Sequence, residues 1–127
     1  MNGLGFWRAS AIIGLVWGLW HAPLIIRGFN YPEHPWTGVF LMTVEAVLLA
    51  PLFGYVCLKA DSVIAAAIFH GTYNGMSVLA TMGLEGGDDL LVGVCGLAGI
   101  LVLLVANLGL VAFDRWFGGK AIARNFS

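Results

Sequence analysis

The sequence predicts an all-α polytopic transmembrane bundle of about four spans. Of its 127 residues 60% are hydrophobic and only 10% are charged, where a soluble domain carries about a quarter charged. The six Lys or Arg and seven Asp or Glu fall in short clusters between long apolar runs instead of along amphipathic faces. Four of those runs approach or exceed the roughly 20 residues that a helix needs to cross a bilayer.

The expected spans are residues 9–27, 36–58, 62–82 and 91–113. The first is too long and too rich in Trp and His for a cleaved signal peptide, and no small-residue cleavage site follows it. Residues 28–35 are rich in turn formers and prolines and read as an ordered outer loop, with His34 a solvated member. Trp7, Trp36 and Trp116 lie near span ends, where amphipathic rings suit the headgroup zone. Cys57 and Cys95 lack the spacing of a zinc site or a disulfide framework. No repeat or linker divides the chain, so residues 1–127 read as a single transmembrane domain.

With four spans, Arg8, Lys59, Arg115, Lys120 and Arg124 share one side. Arg27 is the single basic residue on the other, with Glu33, Glu85, Asp88 and Asp89. The positive-inside rule then puts both termini in the cytoplasm, in a multi-pass protein of the cell membrane. A net charge of −1 carries no footprint for nucleic acid, which leaves the lipid bilayer as the evident partner. The sequence has no signature of an oligomeric state.

Four polar residues interrupt the apolar runs: His21, Glu45, His70 and Asn74. Such groups cost free energy in lipid, face the bundle interior and often mark a site. At a rise of about 1.5 Å per residue, all four fall within one slab near mid-membrane. His70 and Asn74 are one helical turn apart on a shared face. Small residues at every fourth position, Gly14 and Gly18 in the first span and Ala67, Gly71 and Gly75 in the third, allow close helix approach. The simplest packing sets these stripes together, with His21 against His70 and Asn74. Glu45 must be protonated, paired or facing water, and a His is the obvious partner. Trp17 and Trp20 read as packing residues, and Asn107 as interhelical glue.

These residues resemble a family, the CPBP intramembrane proteases, which include the CAAX prenyl proteases and Abi-type proteins. Trp17-Gly18-Leu19-Trp20-His21-Ala22-Pro23-Leu24 looks like the family's Phe-x-x-x-His motif followed by Pro, with Trp17 in place of Phe. Phe69-His70-Gly71-Thr72-Tyr73-Asn74 matches its His-x-x-x-Asn motif. The similarity covers roughly residues 5–80. The family's Glu-Glu-x-x-x-Arg motif, which supplies its glutamate base, has no counterpart, so the chain reads as the C-terminal part of such a protease, catalytically incomplete by itself.

The resemblance implies peptide-bond hydrolysis in the membrane, on a peptide or a prenylated protein, of CAAX or bacteriocin-leader type. His21 would position or polarise the water, and His70 and Asn74 would hold it or donate to the oxyanion. Glu45 is a candidate base that matches no family motif. A divalent metal such as zinc, on His21 and His70, is a further expectation. Two other classes stay open: a non-catalytic pseudoprotease, immunity or assembly protein, and a small proton or cation transporter relaying through Glu45, His21 and His70.

Overall fold

The computed structural model describes residues 5–83, 86–117 and 122; Glu85, Lys120 and Arg124, which entered the charge argument, lie outside the described residues. No strand occurs among those described. Helix α1 spans Phe6–Trp20, α2 Ala22–Ile25, α3 Pro35–Ala60, α4 Val63–Met82 and α5 Leu97–Trp116. Taking α1 and α2 together, four segments among the described residues are long and apolar enough to cross a membrane. The chain is an all-helical, multi-pass membrane protein.

The first span is broken where a continuous helix over 9–27 was expected. Pro23 has no N–H to give to the Leu19 carbonyl, and its ring crowds the turn before it. The α-helical ladder therefore stops at Trp20, the His21 N–H closes a tighter turn on the Gly18 carbonyl at 3.1 Å, and α2 resumes as a single turn. His21 sits at the break. The last span also differs, since α5 starts at Leu97 and not near 91. Residues 91–96 are apolar but double back, with Leu97 N–H bonded to the Leu90 carbonyl at 2.8 Å. Gly93 adopts a left-handed φ of 84°, and a methyl at Gly96 would run into the Val92 carbonyl. Hydropathy registers the apolar side chains there but not the glycines that turn the backbone.

Helix α3 is central, with α1, α4 and α5 all packed on it. A methyl at Gly14 would lie 2.5 Å from Val47 Cα, and one at Gly18 would lie 2.5 Å from Thr43 Cα, so the glycine stripe of α1 seats against α3. This corrects the expected meeting of the two small-residue stripes. Gly71 and Gly75 of α4 have nothing within 4 Å, and the long middle helix takes the place beside α1 that the sequence reading gave to α4. Asn107 ties α5 to α3 by donating to the Leu48 carbonyl at 2.8 Å.

Bulk at the α1–α3 contact is expected to be costly. Gly18→Leu should lower stability in detergent by about 1–3 kcal/mol, whereas Gly71→Ala, facing open space, should change it by no more than about 1 kcal/mol. Thermal unfolding followed by circular dichroism measures both, and equal effects would contradict this packing.

Candidate functional site

The break at Pro23 fixes the state of the first imidazole. His21 Nδ1 lies 2.8 Å from the Trp17 carbonyl oxygen. A carbonyl only accepts, so Nδ1 carries a proton, and in the neutral ring Nε2 is the nitrogen with the lone pair. On α4, Asn74 Nδ2 lies 3.1 Å from His70 Nε2. An amide NH2 only donates, so His70 is neutral with its proton on Nδ1, and Asn74 retains a second N–H.

Aromatic rings hold the two histidines in relation to each other. The Trp17 ring stands edge-on to His70, centroids 5.2 Å apart, and lies 6.0 Å from the His21 ring. Phe53 of α3 backs both Trp17 at 5.6 Å and His70 at 5.4 Å, and Phe69 packs edge-on to Phe53 at 4.8 Å. Trp17 therefore bridges the two imidazoles, a larger part than the packing role read from sequence.

Glu45 of α3 is only 2% exposed. Its Oε1 accepts a hydrogen bond from the Tyr73 hydroxyl at 2.6 Å; Oε2 is buried without a hydrogen-bond partner among the described residues, and Cys95 lies beside it. The partner expected for this carboxyl was a histidine, and the structure supplies a tyrosine. Tyr73 could have been found from sequence, because a phenol at mid-membrane needs an acceptor for its O–H and Glu45 is the acidic residue at that depth.

These groups open onto one cavity of about 690 Å³, lined at helix depth by Trp17, His21, Glu45, His70, Tyr73 and Asn74. Its size is in the range of small-molecule and peptide sites. All four residues nominated from sequence are brought together there. The loop end of the cavity is walled by Phe29, Asn30 and Pro32 on one side and by Gly86, Asp89 and Val92 on the other. Non-helical backbone is tolerated at such a place because it lines a cavity and not lipid.

The two loop walls are tied together. Tyr31 is fully buried and its hydroxyl donates to the Cys95 carbonyl at 2.5 Å. Glu33 N–H donates to Asp89 Oδ2 at 2.8 Å, and His34 Nδ1 meets Asp89 Oδ1 at 2.7 Å. His34 is thus a paired residue and not merely a solvated one. The hydrogen bond to Asp89 pushes the His34 imidazole above its ordinary range. Desolvation acts to raise the Asp89 carboxyl, but the bonds from His34 and the Glu33 N–H outweigh it and hold the group below its ordinary value.

Catalytic zinc ordinarily takes three protein ligands, and the helix-borne donors do not fit that pattern. The His70 Nε2 lone pair is engaged by Asn74, and no third His, Cys, Asp or Glu gathers with the two histidines among the described residues. Glu33, His34 and Asp89 do gather, with donor atoms within 4.8 Å of one another, at the loop end.

Fold and cavity together define a multi-pass membrane protein with a polar site sunk between its helices. The chain belongs to the type II CAAX prenyl endopeptidase Rce1-like family, whose family model matches residues 1–76, a stretch that includes His21, Glu45, His70 and Asn74. It is thereby related to the CAAX-type intramembrane proteases. No curated protein and no solved structure matches the chain.

The Tyr73–Glu45 bond should be measurable as a coupling. Tyr73→Phe is expected to destabilise the fold by about 1–3 kcal/mol, the cost of a buried acceptor left without its donor. Adding Glu45→Leu to it should cost less than the sum of the single changes. Strict additivity in detergent unfolding would show that the two groups are uncoupled.

Proposed function

We propose that this chain hydrolyses a peptide bond within the membrane, on a CAAX-type peptide or prenylated protein, as one transmembrane domain. The observation that carries the reading is the shared cavity into which α1, α3 and α4 deliver His21, Glu45, His70 and Asn74. A water in that cavity has His21 Nε2 as a hydrogen-bond acceptor that orients it. Its proton passes to the Tyr73 oxygen as the Tyr73 proton moves to Glu45 Oε1, 2.6 Å away. This relay gives the set a base although no Glu-Glu pair occurs in the sequence. The oxygen of the hydrated amide is then met by the N–H that Asn74 retains and by His70 Nδ1–H, uncharged donors suited to an oxyanion. As the adduct collapses, the C–N bond breaks and the proton held on Glu45 returns through Tyr73 to the leaving nitrogen, so that the products are a carboxylic acid and an amine.

The distribution of Lys and Arg supports a cytoplasmic-membrane location with both termini facing the cytoplasm. On this reading the peptide backbone occupies the polar part of the cavity, and an apolar chain follows the hydrophobic wall. A divalent metal is not required by this scheme, and no step runs through one.

The test is hydrolysis of a prenylated CAAX-type peptide by the purified chain in liposomes. His21→Ala and His70→Ala are each expected to lower the rate by about 10²-fold or more, the scale of lost acid–base or donor assistance. Glu45→Gln should do the same if it takes the proton as proposed. Cleavage that persists in all three variants would refute the assignment. A wild type that binds the peptide without cutting it would favour a non-catalytic member of the family.

A further inference from the structure

The polar ties at the loop end of the cavity are not used by the chemistry above. The segment after α2 and the segment before α5 wall the same opening and meet in two places of different character. Tyr31 is wholly buried and bonds a backbone carbonyl, that of Cys95. Titration near neutral pH leaves that tie unchanged, because burial pushes the Tyr31 phenol above its ordinary range. The second tie is open to water and becomes an ion pair when His34 is protonated, with His34 39% exposed and paired to Asp89 at 2.7 Å. Left-handed backbone at Gly28 and Asn30 in the first segment, and at Gly86 and Gly87 in the second, flanks the contact with turns at which each segment changes direction.

We propose that the His34–Asp89 pair is a pH-sensitive latch across the cavity mouth, with Tyr31–Cys95 as its fixed hinge. The inference deepens the reading of this cavity as the substrate site and rests on it. Among the described residues, the groups facing His34 are Asp89, Asp88 at 3.8 Å and its neighbour Glu33. All are acidic, so protonation of His34 draws the two segments together.

The sign follows from the two shifts. His34 has its pKa raised by the latch from 6.5, so its contribution is complete below that value and is lost as pH rises through the higher one. Asp89 has its pKa lowered from 3.8, so its contribution is complete above that value and is lost as pH falls through the lower one. The latch is therefore tightest between about pH 4 and 6.5 and loosens on the alkaline side.

Cys95 lines the cavity and reports access without turnover. In a Cys57→Ser background it is the single thiol, and its reaction with a water-soluble maleimide is followed in detergent micelles for the parent, His34→Ala, Asp89→Asn and Glu33→Gln. Dividing each rate by that of His34→Ala at the same pH removes the thiol's own ionisation. The parent is expected to react about two- to fivefold more slowly than His34→Ala at pH 5.5, the range of an exposed ion pair, with the ratio moving toward one as the pH is raised through the His34 pKa. Asp89→Asn should match His34→Ala, and Glu33→Gln, which keeps the backbone bond, should follow the parent. Equal rates at pH 5.5 in proteins of unchanged helicity would overturn the latch. So would a parent rate that rises to that of His34→Ala on adding a chelator at constant pH, because the cluster would then be a cation site. Because labelling needs no hydrolysis, an inactive chain that still shows the ratio refutes the protease reading alone, and an active chain without it refutes the latch alone.

Discussion

A polar group inside a bilayer has no water to turn to, and everything at the centre of this molecule answers to that constraint. Each mid-membrane imidazole, carboxyl and carboxamide bonds to another protein group: His21 to the Trp17 carbonyl, His70 to Asn74, Glu45 to Tyr73. Those bonds do more than satisfy the groups. They set which nitrogen of each histidine holds the proton, and so decide which atoms remain available to a ligand in the cavity.

Helix packing makes that arrangement possible. Close approach of α1 to α3 at Gly14 and Gly18 brings Trp17 against Phe53, and from there against His70 on α4. The histidines of α1 and α4 are thus related through an aromatic wall anchored on α3 and not through direct contact of their own helices. The break at Pro23 ends the ladder at the residue where α1 delivers its imidazole, and the glycine-turned segment at 91–96 closes the cavity at its loop end. A proton relay through Tyr73 and a latch at His34 would then act at opposite ends of one space, the first on chemistry and the second on entry.

The sequence made the helical, membrane-spanning class legible because composition and run length depend on transfer free energy alone. It also brought the four site residues forward, since polar groups at one depth stand out against apolar runs. What it could not convey was direction. Small-residue spacing shows that a helix can be approached closely but not by which neighbour, so the Gly14–Gly18 stripe was matched to α4 when it belongs to α3. Mean hydropathy treats residues 91–96 like a helix, although Gly93 and Gly96 turn them back on themselves. Nothing local singles out Tyr73 beside Asn74, because its acceptor is 28 residues away on another helix, and His34 reads as a solvated loop residue because its partner Asp89 is 55 residues distant.

The central claim is that the first and third membrane-spanning segments face one another across a single cavity through Trp17. Cross-linking of a Trp17→Cys, His70→Cys double variant by a thiol-reactive bifunctional reagent in liposomes, with Cys57 and Cys95 replaced by Ser, addresses it most directly, because the native rings that fill the gap between the two backbones are 5.2 Å apart. A bridge between positions 17 and 70 is expected to form readily, while a Leu19→Cys, Gly71→Cys pair at exposed positions stays unlinked. Cross-linking at 17 and 70 no faster than at 19 and 71 would contradict the shared cavity and the chemistry built on it.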